Sequence, residues 1–224
     1  MTTRVTLISP ARSESSEAFR FDDGRSLSAA GLRDARRARA AGEALLRAAG
    51  AKVLSPSPRC VRTAEELGLS GAASLTDVRL SGCATGRWRG RTLEEVGAAD
   101  PEGVARWLSD PESAPHGGES VAALCARAGE WLADLADREH GRVVAVVEPD
   151  VVRAAVVCAL GAPAGGLWRV DVAPLTATEL SGRAGRWNLR AGRALADCGD
   201  GHGHGEAGGD HHGEEEGGAR QASS

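Results

Sequence analysis

Short unbroken apolar runs alternate along this chain with longer stretches in which apolar residues return every three or four positions. Val5 to Ile8 is the first run, and it stops at Ser9-Pro10. So short a run, ending on proline, predicts a buried strand. Ser28 to Ala49 places Leu32, Ala35, Ala38, Leu45 and Leu46 on one face, with Ser28 as cap and Gly50 as stop, and predicts a single helix. Lys52 to Ser55 reads as a second strand, and Pro58 to Leu67 as a helix with proline in its first turn. Asp77 to Gly90 is polar and punctuated by glycine, so a loop is expected. Thr92 to Ala98 and Pro101 to Leu108 read as short helices. Ser120 to Leu135 repeats Val121, Leu124, Ala128, Trp131, Leu132 and Leu135 at helical spacing. Val143 to Val147 is a further buried strand, and Val151 to Leu160 a helix closed by Gly161. Trp168 to Val172, Thr176 to Leu180 and Arg186 to Leu189 read as three more strands, the last two linked by a hairpin over Ser181 to Gly185.

Strands that alternate with helices imply an α/β fold: a three-layer sandwich, its central sheet mostly parallel and flanked by helices. Sites in such sheets form beyond the carboxyl ends of the strands. Ser9-Pro10, Ser55 to Arg59 and Glu148-Pro149 are each expected at such an end. From Ala191 the pattern stops. The chain divides into a domain over 1–190 and a Gly-, His- and Glu-rich tail over 191–224 that buries too little to fold.

Composition sharpens this picture in three places. The formal charge of −4 is concentrated in the tail, where seven acids face Arg220 alone from Asp197 onward, so the body is near neutral. No concentrated basic face is left for a nucleic acid. Five scattered cysteines with no CxxC pair fit small buried thiols in a reduced, cytoplasmic protein. No apolar run is long enough for a bilayer, and none reads as a signal peptide.

Four spaced segments carry a resemblance. Ser55-Pro56-Ser57-Pro58-Arg59 through Thr63-Ala64, Gly86-Arg87-Trp88-Arg89-Gly90, Pro115-His116-Gly117-Gly118-Glu119-Ser120, and Val146 to Ala154 follow one another as similar segments do in the histidine phosphatase superfamily, the phosphoglycerate mutase-like fold. The resemblance covers roughly Arg4 to Arg190. It implies an Arg-His-Gly at the end of the first strand, whose histidine accepts the phosphoryl group; Ser9, Pro10 and Ala11 stand there. It implies a second histidine where Glu148 stands, and a general acid where Gly82 stands. Of the expected phosphate-gripping groups, Arg59 is kept.

A proline ring has no ionisable group and cannot attack phosphorus. The first expectation is therefore a catalytically impaired pseudoenzyme acting as a binding or regulatory module. Arg59, Ser9, Arg12, Ser13 and Glu148 are its candidate ligand contacts, for a small anionic ligand or a protein partner. The structural alternative for Arg59 and Glu148 is a mutual ion pair with no ligand. A second expectation is an active phosphomonoesterase, like α-ribazole phosphatases, that uses rearranged residues. A third is metal handling by His202, His204, His211 and His212 on the tail, with a divalent transition metal as the ion. Catalysis itself implies no cofactor. Trp88, Trp107, Trp131, Trp168 and Trp187 read as core and loop anchors.

Overall fold

The computed structural model describes residues 2–71, 74–137, 141–183 and 185–195. The elements are β1 (Thr3–Ile8), α1 (Glu14–Glu17), α2 (Ala29–Arg37), α3 (Arg39–Ala48), β2 (Ala51–Leu54), α4 (Pro58–Glu66), β3 (Ser74–Thr76), α5 (Leu93–Ala99), α6 (Pro101–Ser109), α7 (Val121–Asp137), β4 (Arg142–Val146), α8 (Pro149–Ala159), β5 (Thr176–Arg183) and β6 (Arg186–Ala194). The strands form one sheet in the order β3-β2-β4-β1-β5-β6. β1 pairs in parallel with β4, and β2 in parallel with both β4 and β3. β5 runs antiparallel between β1 and β6.

The continuous apolar strands are explained by burial on both faces. Along β4, Val143 and Ala145 enter one core with α7 and α8, while Val144 and Val146 enter another with α2 and α4. The three-layer α/β sandwich follows from these two cores.

Four expectations are corrected. The helix expected over Ser28 to Ala49 is two helices that meet at Ala38, which is buried against α4. Ser28 caps the first, as read from the sequence, by accepting from the Gly31 N–H. Trp168 to Val172 is no strand. Ala164–Arg169 is a 3-10 turn packed against α7 and α8, and it pairs with no strand. Trp168, Val170 and Val172 pack on the core without a ladder. β5 continues to Arg183, into the expected link, and Gly185 turns the chain with φ +76°. β6 runs to Ala194, four residues past the expected end of the domain, and Leu195 is buried behind it. The short edge strand β3 has too little pattern of its own to be read from sequence.

Among the described residues, no helix is long and apolar enough to cross a membrane.

Candidate functional site

Three adjacent strand ends build the site. β4 lies between β1 and β2, so the segments after all three emerge side by side. After β2, Ser57 caps α4 by accepting from the Cys60 N–H, and Pro58 occupies the first turn, where its missing N–H costs nothing. That capped turn fixes Arg59. After β4, Val147 N–H donates to the Ile8 carbonyl at 3.0 Å, and Glu148 then takes the N-cap position of α8, opened by Pro149. A helix N-terminus favours the Glu148 negative charge.

Glu148 is 3% exposed, yet its carboxylate is fully used. Arg59 donates to Oε2 from Nε at 2.7 Å and from Nη2, while Ser57 Oγ and Cys60 Sγ donate to Oε1, the thiol at 3.4 Å. Two guanidinium N–H groups thus converge on one carboxylate oxygen, a charge-assisted contact, and the other oxygen is left to the hydroxyl and the thiol. Burial opposes the Arg59 charge, but Glu148 outweighs it and lifts the guanidinium pKa above its ordinary value. Burial, reinforced by the Glu148 charge, pushes the Cys60 thiol well above its usual pKa, so it stays protonated. Asp22 Oδ1 stands 4.0 Å from Arg59 Nε. Burial, then Glu148, raises the Asp22 pKa despite that arginine.

The remaining candidates are placed elsewhere. Ser9 is fully buried, and its hydroxyl donates to the Ala173 carbonyl at 2.5 Å and accepts the Thr176 N–H at 3.0 Å. Those contacts lock the end of β1 to the start of β5. Ser13 caps α1 and is fully buried. Arg12 reaches Asp34 at 2.7 Å on the surface. Pro10 and Ala11 are buried, and the Ala11 N–H donates to Thr63 Oγ1 on α4. None of these five lines the cavity beside Glu148. Gly82 does, and a Cβ there would lie 3.1 Å from Glu148 Cγ, so glycine at 82 and glutamate at 148 share one space.

The cavity has a volume of about 490 Å³, within the range of small-molecule sites. Arg59, Glu148 and Asp150 lie along one side. Burial and then Glu148 push the Asp150 pKa up to about 6, although Cys83 and Val151 donate backbone N–H groups to it. Phe21, Trp107 and Trp168 form the aromatic side. Trp107 meets Trp168 edge-on at 4.4 Å and Phe21 at 5.6 Å between ring centres. Trp88 and His116 stand behind them, 4.9 Å apart. Trp88 is thus the anchor expected, while Trp107 and Trp168 also face the cavity. The loops that carry these rings meet because Gly118 and Gly86 are glycines: a Cβ would fall 1.8 Å from the Ala84 carbonyl oxygen in one case and 2.2 Å from that of His116 in the other.

Sequence reasoning passed over Asp22, Phe21, Asp150 and Arg153, which the fold gathers from two separate segments. The signal for Asp150 and Arg153 was their place two and five residues after Glu148, on the first turns of one helix. No histidine lines this cavity among the described residues. His116 is buried with the rings, and burial, then Arg87, lowers its pKa. The tail histidines, His140 and the chain from 196 onward lie outside the described residues.

The family model of the histidine phosphatase superfamily (branch 1) matches residues 13–193. Over 123 residues the chain is 35% identical to glucosyl-3-phosphoglycerate phosphatase of Mycolicibacterium vanbaalenii, which covers 50% of this chain and 53% of that protein. Over 76 residues it is 36% identical to phosphoserine phosphatase 1 of Hydrogenobacter thermophilus, covering 34% and 36%. The chain therefore spans about half or less of the length of these curated relatives. The solved structure of a mycobacterial glucosyl-3-phosphoglycerate phosphatase with VO3 superposes with a TM-score of 0.73 at 26% identity, over 85% of this chain and 99% of that one.

Proposed function

We propose that this chain, which belongs to the histidine phosphatase superfamily (branch 1), is a binding or regulatory module that has lost phosphohistidine chemistry. One observation carries the reading: the Glu148 carboxylate sits on Arg59, the arginine that the resemblance assigns to phosphate. Phosphoryl transfer needs cationic donors aimed where oxygen charge develops. Here that donor is already neutralised. A phosphate brought to ~4 Å from Glu148 meets a repulsion of about 4 kcal/mol per unit charge at an effective dielectric of about 20. Pro10 adds a second support, because the nucleophile position holds a buried ring without a proton to exchange.

The competing reading is a phosphoric monoester hydrolase, favoured by the phosphatase names of the relatives. Hydrolysis of p-nitrophenyl phosphate separates the two. The expected result is no turnover above buffer. Turnover at the rates ordinary for such phosphatases, abolished by Arg59→Ala, overturns the proposal; the variant excludes a contaminating enzyme. Rebuilding an Arg-His-Gly at 9–11 is a poorer test, because Ser9 is fully buried and tied to β5 with no room for a guanidinium.

A further inference from the structure

Three groups of residues that line the cavity lack partners. Arg153 Nε, Trp107 Nε1 and Trp168 Nε1 are each shielded from solvent and without a hydrogen-bond partner. The three residues line the same cavity. Among the described residues, no carboxylate pairs with Arg153. Buried polar groups in folded proteins are nearly always satisfied, and an orphan calls for an explanation. Indole N–H and guanidinium are donors only. What they lack is therefore an acceptor.

The acids of the cavity do not supply it. Glu148 is held by Arg59, Ser57 and Cys60. Asp150 takes two backbone N–H groups. Asp22 faces Arg59. Glu148 and Asp150 are thus occupied and Asp22 lies toward Arg59, while Arg153, which lines the cavity with the rings, has no carboxylate partner among the described residues. We infer that this cavity binds a small carboxylate monoanion with a flat apolar body, its carboxylate on Arg153 between the two indole N–H groups and its body against Phe21 and Leu167. The planar fork of a guanidinium matches the two oxygens of a carboxylate. The apolar body follows from the rings, whose faces and edges favour another flat group. A single charge follows from the same three acids: a dianion meets their repulsion twice over, and a neutral amide leaves Arg153 without a counter-charge.

The inference rests on reading the site as a binding module, but it fails separately. The experiment is a titration of the full chain followed by tryptophan fluorescence and by calorimetry, with phenylacetate, phenylacetamide, phenyl phosphate and phenethylamine as probes. Phenylacetate is expected to saturate the protein at or below about 1 mM. The amide, the phosphate and the amine should each bind at least about tenfold more weakly. Arg153→Gln should weaken phenylacetate at least about tenfold, and Arg153→Lys less, with thermal unfolding confirming that both variants fold. Trp168→Phe, which keeps the ring edge and removes one donor, should weaken it by a smaller factor. If no phenylacetate binding saturates, or if the phosphate or the amine binds more tightly, the assignment is overturned. Equal affinity in Arg153→Gln overturns it too. Hydrolysis of phenyl phosphate during the titration would instead sink the loss of catalysis, whatever the carboxylate does.

Discussion

At the strand-end corner of the cavity the Glu148 carboxylate has four donors around it; Arg153, Trp107 and Trp168, which line the same cavity, carry N–H groups that nothing accepts. Both sets are walled by the same fold, and both are largely withdrawn from water. The difference is in what each asks of a ligand. A matched ion pair with its remaining oxygen sites filled gains little by admitting a third charged group, and loses much if one member goes. An unmatched donor set costs free energy until something with lone pairs arrives. On the proposed reading, ligand demand lies at the aromatic wall and not at the strand-end corner.

Breaking the matched side should give the largest effect. Glu148→Ala leaves the Arg59 guanidinium, 12% exposed, without its counter-charge. A loss of about 3 kcal/mol or more of unfolding free energy is expected by chemical denaturation, together with new affinity for inorganic phosphate at the freed arginine. The double variant Arg59→Met, Glu148→Leu should lie far closer to wild type than Glu148→Ala, because neither charge is then stranded. If the double variant is as unstable as Glu148→Ala, the pair is not what organises the corner.

Gly82→Ala comes next. The new methyl would crowd Glu148 Cγ at 3.1 Å, and that side chain is pinned at both oxygens. A loss of about 1–3 kcal/mol is expected. In the Glu148→Ala background the same substitution should cost less, which a double-mutant cycle reads directly.

A pH series sharpens the comparison at Asp150. Its folded pKa is about 6 against an ordinary value of 3.8, so the folded state holds the proton more tightly than the unfolded chain does. The penalty for ionising it is present in full above the folded value, and is relieved as pH falls through the window between the two. Relative to Asp150→Asn, the native chain should therefore gain stability from pH 7 down to pH 4, measured by thermal unfolding at each pH. A difference that stays constant with pH would refute the raised value.

The smallest effect belongs to the unmatched side without ligand. Trp168→Phe removes an N–H that has no partner and keeps an aromatic edge against Trp107. Stability should change by no more than about 1 kcal/mol. A larger loss would mean that the indole N–H is satisfied by groups of the protein itself.

Much of this was legible in the residues. Val143 to Val147 reads as a buried strand because both of its faces are apolar, and Val5 to Ile8 because only Thr6 interrupts its apolar residues, a one-dimensional property. The cap at Ser28 and the pairing of Arg59 with Glu148 were likewise within reach of sequence, since caps are local and the two strand-end segments must converge in a parallel sheet; the cap at Ser57 was not read. Ser9 was misleading for a physical reason. Its position at a strand end says that it is near the site, but whether its hydroxyl turns to the cavity or to Ala173 and Thr176 depends on β5, more than 160 residues away.

Local periodicity was thus enough for the layers and the strand ends, and the sequence places a proline at 10 where the resemblance implies an imidazole. Only tertiary structure decided that the helix after Ser28 breaks at Ala38, that Trp168 belongs to a ring cluster instead of a strand, and that Arg153, Trp107 and Trp168 share one cavity. Those outcomes depend on which neighbours occupy pairing slots and which acceptors stand within reach. Such facts belong to the packed arrangement, because no single segment of the chain contains both members of the contact.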